Sequence, residues 1–465
     1  MPPKLNNFID VPKIIKEDRV KEFFPGLLPD VDEIRKIEFP SLVSSGRTYM
    51  DSGATAQPLA SAIRDITNYR LTYPRGSNHS ENSEEAKRAS QEYNRVKDKL
   101  TYFFNASDYM VGFTGGTTDT SNWISTRFDF KKGDLIVLTE MEHNSQILTP
   151  LNFAKMMGVD IEIVPITKPE GRLDLDYLRK IMKTRKKGKI LFNLIHVSNV
   201  TGVINPISEI RDIVGDRGFI YLDMAQSAGH MKIDLNALDV DFASLSAHKM
   251  YGPFGLGAIF INKKSERYLG NHYSGGSTVK LVSKNLVTYE DSVARFEPGT
   301  QAIEPAIEFG FVIDRLYELG MDNIHMHDIE LGKYMLHEMK KIPNLNLYGP
   351  KTFEDRLSIL TFNLGSFLRK NYKEVACRLD AKGISVRDGC FCAHWYIALM
   401  MGLNAPIQDV RNMLLKLGIS QDFLGLPKQL VRLPGAVRVT PSFYNTIEEA
   451  YTTIQSIAEV AEDIL

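Results

Sequence analysis

Between residues 48 and 262, short apolar runs alternate with polar or glycine-rich turns and with segments of helical periodicity. Six runs have the length and the β-branched or aromatic content of buried strands, at residues 109–113, 135–138, 161–166, 190–197, 219–223 and 242–245. In one intervening segment, Ile207, Ile210 and Val214 recur at helical spacing. Apolar strands that alternate with helices predict an α/β fold, in which helices cover both faces of a mainly parallel sheet.

The sequence on either side of this pattern predicts an N-terminal arm and a smaller C-terminal domain. Residues 1–45 mix polar stretches with Pro-Gly punctuation, so we expect an arm that packs on the body of the protein. We expect the large domain to span residues 46–305 and the smaller α+β domain to span residues 306–465. A long amphipathic region at residues 304–341 predicts one helix that links them. Strand-like runs in the smaller domain occur at residues 359–364, 384–387 and 437–439.

Most of the predicted strands end in polar residues. The polar segments are residues 114–119, 142–145, 196–199, 223–226 and 246–249. Ligands of open α/β sheets bind beyond the carboxyl ends of the strands. The need for polar residues in turns does not by itself explain why five strands end in this way. We therefore predict one large binding site at that edge of the sheet.

Composition and charge narrow the class of protein. The chain of 465 residues is 43% hydrophobic and 24% charged, which is typical of a globular protein with a substantial core. Its net charge of −1 provides no basic field for nucleic acid or anionic lipid. It has three cysteines, no apolar signal core at the N-terminus and no apolar run of about 18 residues. We expect a cytoplasmic enzyme in a reducing compartment, with no nucleic-acid or membrane partner.

Two strand ends have the chemistry of a cofactor site. Residues 113–119 (Phe-Thr-Gly-Gly-Thr-Thr-Asp) would present backbone N–H groups and hydroxyls to an anion, typically a phosphate group. Taken alone, an ordinary capped helix N-terminus is the more common explanation. Asp223 ends another apolar strand, with Gln226 three residues later. Its carboxylate could pair with a ring nitrogen of a cofactor, although such residues more often cap a turn.

Lys249 is the third candidate. It follows a run of small and apolar residues and is preceded by Ser246 and His248. Burial in such a run would lower the pKa of the amine and leave it usable for a Schiff base. Pyridoxal phosphate (PLP) needs a lysine for its aldehyde, an acid for its pyridine nitrogen and a phosphate cup, so the three pieces fit one cofactor.

The order of these pieces resembles the class V aminotransferase group of fold-type I PLP enzymes, and within it the cysteine desulfurase and selenocysteine lyase family. The matching stretches are residues 49–55, 116–119, 142–143, 196–202, 223–226, 248–253, 295–300, 386–392 and 438–445. The resemblance implies a fold-type I PLP-dependent transferase with a mainly parallel seven-stranded sheet and a smaller α+β domain. It also implies PLP as the cofactor.

The resemblance assigns roles around the cofactor. Lys249 would hold the aldehyde and later move the proton at the substrate α-carbon, while Asp223 would keep the pyridine nitrogen protonated. Gln226 would hydrogen-bond the ring oxygen, Asn199 would lie near the same edge, and His143 would stack on the ring as a catalytic residue. The residues that would hold the phosphate group are Thr117, Thr118, Ser246 and His248.

Further roles concern the substrate and the partner subunit. Thr300 resembles a residue that reaches the phosphate group of the neighbouring subunit, which implies a homodimer. Arg387, with Asn199, would bind the substrate carboxylate, since a guanidinium can do so with two hydrogen bonds. Cys392 would attack the sulfur of the bound L-cysteine or L-selenocysteine and carry a persulfide to an acceptor protein. A free cysteine is more often a small buried apolar residue than a nucleophile. The spacing between Arg387 and Cys392 matches that of desulfurases, however, and favours the nucleophilic role for Cys392.

Several positions depart from the family pattern. Cys390-Phe391 stands where desulfurases usually have two histidines, and Asn144 stands where a second histidine often follows His143. Residues 393–430 resemble an insertion and include Trp395, Met400, Met401 and Met413. Three roles stay open for this segment: a lid, a docking surface, or extra helical packing on the smaller domain.

Other reactions stay open. A selenocysteine lyase, or a class V aminotransferase, epimerase or C–S lyase, would keep Lys249 and Asp223 without depending on Cys392. A disulfide between Cys390 and Cys392 could switch activity off. A metal site at Cys390, Cys392 and His394 is disfavoured, because the spacing is cramped and a second ligand pair is missing nearby.

Overall fold

The computed structural model describes residues 8–78, 82–185, 187–271, 274–365, 372–402 and 435–464. In chain order, the strands are β1 (Thr48–Tyr49), β2 (Tyr109–Thr114), β3 (Leu135–Thr139), β4 (Asp160–Val164), β5 (Ile166–Thr167), β6 (Arg172–Leu173), β7 (Ile190–Ile195), β8 (Gly218–Asp223), β9 (Phe242–Ser246), β10 (Gly257–Asn262), β11 (Val279–Val282), β12 (Val287–Tyr289), β13 (Leu345–Tyr348), β14 (Leu360–Leu364), β15 (Ile384–Ser385), β16 (Arg387–Gly389) and β17 (Ala436–Val439). The helices are α1 (Val11–Lys16), α2 (Val20–Phe23), α3 (Val31–Glu38), α4 (Pro40–Ser45), α5 (Ala60–Thr72), α6 (Glu84–Phe103), α7 (Thr117–Arg127), α8 (Asn144–Met157), α9 (Leu175–Thr184), α10 (Ile207–Val214), α11 (Leu235–Leu238), α12 (Ile303–Leu319), α13 (Met321–Met339), α14 (Tyr372–Ala381), α15 (His394–Met400) and α16 (Ile447–Ile464).

A seven-stranded sheet in the order β2-β10-β9-β8-β7-β3-β4 forms the centre of the larger part of the molecule. Neighbours from β9 to β4 pair in parallel, and β10 pairs antiparallel with both β2 and β9. Alternate residues of β3 enter different apolar clusters, with Leu135 and Val137 in one and Ile136 and Leu138 in the other. Both faces of the sheet are therefore covered, and the predicted α/β fold with a mainly parallel sheet is confirmed.

The six predicted strands are present in the structure, but some of them end at other residues than predicted. The run predicted at 161–166 stops at Val164, because Pro165 has no N–H to continue the ladder. The run predicted at 190–197 stops at Ile195, after which the chain turns towards the candidate site. Strand β10 was not among the predicted runs; it follows β9 through a short turn instead of a helix and so lies outside the β–helix alternation.

The single helix predicted over residues 304–341 is wrong. The region contains two helices, α12 and α13, which are separated at Gly320. The backbone of Gly320 has a φ of +80°, in the left-handed region that favours glycine and ends helices. Apolar residues on both helices are buried, which is why the amphipathic pattern continues across the break.

A second, four-stranded antiparallel sheet has the order β13-β14-β17-β16. The run predicted at 384–387 divides, because β15 pairs in parallel with β1 while β16 joins this second sheet. Helix α1 packs on α16, so the N-terminal segment lies against the C-terminal part. The division into residues 1–45, 46–305 and 306–465 stays a prediction. Within the described ranges, every helix is too short or too polar to cross a membrane.

Candidate active site

A cavity of about 250 Å³ lies where β3, β7, β8 and β9 end. The predicted site residues that line it are Thr117, Thr118, His143, Asn199, Asp223, Gln226, Ser246, His248, Lys249, Arg387 and Cys392. Thr300 lies elsewhere, in a separate hollow that Arg70 and Ile303 also line. The structure therefore brings the residues from distant strand ends into one site, and Thr300 does not reach the site of its own chain.

One end of the cavity presents hydrogen-bond donors at the start of α7. Gly116 precedes the helix with a φ of +126°, and a Cβ there would lie 3.2 Å from Ser246 Oγ. The backbone N–H of Thr117 donates to Ser246 Oγ at 3.0 Å, and the two hydroxyl oxygens are also 3.0 Å apart. A helix N-terminus with hydroxyl groups beside it suits an anion such as a phosphate group.

His248 lies at the same end of the cavity. Its Nδ1 is 3.1 Å from the hydroxyl oxygen of Thr55. Burial, together with the charge of Lys249, lowers the pKa of His248 to about 4. The ring is therefore neutral at pH 7 and can act as a hydrogen-bond donor without adding a charge.

Lys249 ends the short 3-10 turn Ala247–Lys249 that follows β9. Burial lowers the pKa of its amine to about 8, and the charge of Arg438 acts in the same direction. The carboxylate of Asp223 opposes this shift without cancelling it. About a tenth of the amine is therefore neutral at pH 7, and the neutral fraction rises through pH 8.

This shift predicts labelling of Lys249 at an unusually low pH in the cofactor-free protein. We expect acetic anhydride to modify Lys249 with a pH midpoint near 8, because only the neutral amine reacts. A lysine in an unfolded reference peptide should follow the ordinary pKa of about 10.4. Peptide mass spectrometry after brief labelling at a series of pH values measures both curves; a Lys249 curve that coincides with the reference peptide would contradict the predicted burial effect.

Asp223 is buried at the end of β8. Its Oδ1 accepts a hydrogen bond from the N–H of Ala225 at 2.8 Å, and its Oδ2 accepts one from Gln146 Nε2 at 3.5 Å. Burial raises the pKa of the carboxyl, and the nearby Lys249 amine partly offsets this effect. A cationic ring nitrogen placed in the cavity would stabilise the ionised carboxylate further.

A second buried carboxyl lies behind Asp223. Burial raises the pKa of Glu142 to about 8, so this side chain is mostly protonated at pH 7. Glu142 Oε1 accepts hydrogen bonds from Thr139 Oγ1 at 2.7 Å and from the N–H of Ile195 at 3.1 Å. Glu142 therefore adds no negative charge beside the Asp223 carboxyl at pH 7. Neither Glu142 nor Gln146 was predicted as a site residue from the sequence.

His143 caps the start of α8 and lines the cavity. Its Nδ1 is 2.8 Å from Ser145 Oγ, which fixes the orientation of the ring. Burial lowers the pKa of His143 to about 4, and the charges of Lys249 and Arg438 contribute. A fixed, neutral imidazole ring suits stacking on an aromatic cofactor, which is the role predicted for it.

Gln226 and Asn199 bond to the surrounding backbone. Gln226 Nε2 donates to the carbonyl oxygen of Gly53 at 2.8 Å. Asn199 Nδ2 donates to the carbonyl oxygen of Phe391 at 2.7 Å, so it ties the segment after β7 to the loop of Cys392. Asn199 Oδ1 is buried without a hydrogen-bond partner and is thus an acceptor left for a ligand.

Cys392 is exposed and lies in the loop between β16 and α15. Phe391 and Cys392 both have a φ of +55°, which is rare for residues other than glycine. Such backbone strain clusters at functional sites where neighbouring contacts hold it. Here the N–H of Asn144 donates to the carbonyl oxygen of Cys392 at 2.7 Å. The loop is therefore held at the mouth of the cavity.

Two arginines line the cavity beside this loop. Arg387 on β16 is exposed and is paired in register with the buried Arg438 on β17. Arg438 donates to the carbonyl oxygen of Asn199 at 2.8 Å and forms an ion pair with Asp51 at 3.2 Å. Its Nε is buried without a partner. Arg438 was not predicted as a site residue, although an arginine between two valines of an apolar strand is a signal of a buried charge.

The remaining predictions concern metals and the insertion. In the part of the chain that the structure describes, no three His, Cys, Asp or Glu side chains are arranged to hold a metal ion. Of the insertion-like residues 393–430, helix α15 is described. Residues 403–434, including Met413, lie outside the described residues.

Comparison with known proteins gives consistent matches. The family model "Aminotransferase class-V" matches residues 48–450. A probable cysteine desulfurase of Halalkalibacterium halodurans is 34% identical over 380 residues, which are 80% of this chain and 88% of that protein. A cysteine desulfurase of Serratia proteamaculans is 33% identical over 390 residues, 81% of this chain and 91% of that protein. The apo structure of a cysteine desulfurase from Thermococcus onnurineus NA1 has a TM-score of 0.80 at 26% identity, and the match covers 93% of this chain and 98% of that one.

Proposed function

Since the chain belongs to the class-V aminotransferase family, with residues 48–450 matching, we propose that it is a PLP-dependent cysteine desulfurase. The observation that carries the proposal is the meeting of Lys249, Asp223 and Cys392 in one cavity. The enzyme removes sulfur from L-cysteine and releases L-alanine. The sulfur stays on Cys392 as a persulfide until an acceptor takes it.

The residues of the cavity fit PLP. Thr117, Ser246 and the N-terminus of α7 offer donors for a phosphate group, and Lys249 offers an amine whose pKa is about 8. Asp223 offers a buried carboxylate for a cationic ring nitrogen, and Asn199 offers an unpartnered oxygen. When bound, PLP supplies an electron sink for cleavage of bonds next to the substrate α-carbon.

The chain's own residues position the substrate and move its proton. Lys249 would hold the cofactor through its amine and would later carry the proton at the substrate α-carbon, for which a pKa near 8 is well matched. Asp223 would keep the cofactor's ring nitrogen protonated through a negative charge. His143, a neutral side chain, would lie over the ring and shield it from water.

The sulfur step uses Cys392. Its thiolate attacks the substrate sulfur, so that one C–S bond breaks and one S–S bond forms. The electron pair of the broken bond and a proton end on the substrate carbon, which becomes the methyl group of alanine. The net reaction is L-cysteine plus enzyme thiol giving L-alanine plus enzyme persulfide.

Arg387, with Arg438 behind it, is the proposed binding site of the substrate carboxylate. We expect Arg387→Lys to raise KM about 10-fold with a smaller change in kcat, because lysine keeps the charge but loses the two parallel hydrogen bonds. Arg387 is exposed, so this change should leave the fold intact. Steady-state alanine release measures both constants, with the exposed Arg64→Lys as control. An unchanged KM would contradict the assignment.

Asp223 is expected to contribute mainly through its charge. Asp223→Asn keeps the shape and the acceptor for the Ala225 N–H but removes the negative charge. We expect PLP affinity to fall about 10-fold to 100-fold, as for loss of a hydrogen bond worth about 1.5–3 kcal/mol. Titration of the apoenzyme with PLP, followed by absorbance, measures this, and Asp322→Asn on the surface of α13 is the control. Equal affinities would show that Asp223 does not face the ring nitrogen.

A homodimer is the proposed assembly. Thr300 lies in a hollow outside the cavity of its own chain, as expected of a residue that serves a partner. The hairpin of β11 and β12 exposes Leu281, Val282, Leu286 and Val287, which a second copy could cover.

The proposed sulfur acceptor is a protein in the cytoplasm that approaches the exposed Cys392.

Alanine release tests the proposed function. The purified enzyme with PLP and reductant should release alanine from L-cysteine in repeated turnovers. L-Selenocysteine is the matched substrate that separates the second candidate, a selenocysteine lyase, from a desulfurase. Alanine from L-selenocysteine alone would favour the lyase, and alanine from neither would contradict both.

A further inference from the structure

A second thiol lies beside the loop of Cys392 but outside the lining of the cavity. Cys390 Sγ is 3.0 Å from Nε2 of His394, and Nδ1 of His394 is 3.0 Å from Nδ2 of Asn144. Cys390 is partly buried against the main apolar core, whereas Cys392 is exposed. The three side chains form a thiol–imidazole–amide series of the kind that activates nucleophilic cysteines.

The hydrogen bonds of His394 aim its ring at the Cys390 thiol. The amide N–H of Asn144 donates to Nδ1, so the proton of the neutral ring is on Nε2 and points at Cys390 Sγ. An N–H aimed at the sulfur can stabilise the negative charge that the sulfur carries as it attacks. In the other ring tautomer, Nε2 would instead accept the thiol proton as the sulfur attacks. Burial lowers the pKa of His394, which keeps the ring neutral.

Asn144 connects the two thiols. Its side chain orients His394, and its backbone N–H donates to the carbonyl oxygen of Cys392 at 2.7 Å. The N–H of Ala393 donates to the carbonyl oxygen of Cys390 at 2.9 Å, which tightens the same loop. Two residues of separation limit the distance between the cysteine Cα atoms to about 7 Å. One loop therefore holds an exposed thiol at the cavity and an activated thiol next to it.

We propose that Cys390 is a second sulfur carrier, which takes the terminal sulfur from the persulfide of Cys392. The inference rests on the proposed function, because Cys392 must first receive sulfur. The Cys390 thiolate attacks the outer sulfur; a new S–S bond to Cys390 forms, the S–S bond to Cys392 breaks, and Cys392 leaves as a thiolate. No net oxidation occurs. Cys392 is then free for a second turnover, while the first sulfur is held away from the cofactor cavity.

The number of turnovers before the enzyme stalls tests this relay. Holoenzyme is mixed with L-cysteine without reductant or acceptor, and alanine is counted by rapid quench per bound cofactor. The wild type should release about two equivalents in its burst, and Cys390→Ser about one. Cys377→Ser, a change at an exposed cysteine of α14, is the matched control and should keep about two. One equivalent from both the wild type and Cys390→Ser would overturn the relay while leaving the proposed function intact. No alanine from the wild type would instead refute the proposed function.

The position of the sulfur provides a second readout. After the burst, thiols are alkylated and the peptide that contains both cysteines is fragmented in the mass spectrometer. We expect one added sulfur on Cys390 and one on Cys392. Two added sulfurs on Cys392 alone would overturn the relay. A disulfide between the two cysteines with release of sulfide would also overturn it, because Cys390 would then have attacked the inner sulfur.

His394 is proposed as a positioning residue for Cys390. His394→Ala should leave the first equivalent of alanine unchanged and slow the second about 10-fold at pH 7. Added imidazole should restore part of the second phase, because a free imidazole can take the place of the missing ring beside Cys390. A loss of both phases, or a second phase that stays slow with added imidazole, would contradict this role.

Discussion

Lys249→Ala is expected to abolish turnover of L-cysteine, with a fall of at least about 1,000-fold in kcat. Lys249 is the lysine of the cavity, and its amine has two roles, as the covalent holder of the cofactor and as carrier of the substrate α-proton. The methyl side chain of the substituted alanine residue cannot take either role. The absorbance band of the covalently held cofactor should disappear with the activity.

The control for this variant is Lys232→Ala, which removes an exposed lysine. It should keep the wild-type absorbance and rate. Small primary amines added to Lys249→Ala should restore a fraction of the turnover, because a free amine can supply the missing proton carrier. Unchanged activity of Lys249→Ala would contradict the assignment of the cofactor site.

Cys392→Ala is the second change with a large expected effect. Alanine release from L-cysteine should fall at least about 100-fold, which corresponds to about 2.7 kcal/mol of transition-state stabilisation. The loss is expected because no other group of the chain is proposed to take the substrate sulfur directly. Cofactor binding should be unchanged, since Cys392 lies on the exposed loop and not among the donors for PLP.

Cys377→Ala serves as the matched control, because Cys377 is exposed on α14, away from the cavity lining. L-Selenocysteine separates the two candidate reactions in the same variant. Retained alanine release from L-selenocysteine with loss from L-cysteine would show that the thiol is needed for sulfur and not for selenium. Full activity of Cys392→Ala with L-cysteine would exclude Cys392 as the nucleophile.

The central sheet could be predicted from the sequence because its strands are buried on both faces. Runs such as Leu135–Leu138 are apolar throughout, and this continuous pattern indicates a parallel sheet covered by helices. Strand β10 was missed because no helix separates it from the preceding strand. The break at Gly320 was missed because apolar positions continue at helical spacing on both sides of it.

Much of the site could be predicted for a related reason. Asp223 and Lys249 each end a buried strand or follow it directly, and the carboxyl ends of parallel strands meet at one edge of the sheet. Arg438 could not be placed in this way, because it reaches the cavity only through the pairing of β17 with β16, which brings it beside Arg387. The role of Thr300 depends on a second chain, and the sequence of one chain specifies no contact between copies.

Cys390 and His394 were considered together from the sequence only as metal ligands, and their thiol–imidazole contact was not predicted. The spacing of four residues was visible, but it joins a strand end to the first turn of α15 and could equally have belonged to a surface helix. The contact gains its third member from Asn144, which follows a different strand and whose Nδ2 lies 3.0 Å from Nδ1 of the imidazole. Long-range packing, and not local pattern, brings these three side chains together.

The most direct test of the central claim is the mass of the peptide that contains Cys390 and Cys392 after one turnover with L-cysteine. The holoenzyme is quenched with an alkylating reagent in the absence of reductant, and alanine is measured in the same sample. We predict that this peptide gains sulfur in step with alanine release and that Cys392→Ala shows neither. Alanine release without any sulfur on the peptide would contradict a persulfide mechanism at this loop.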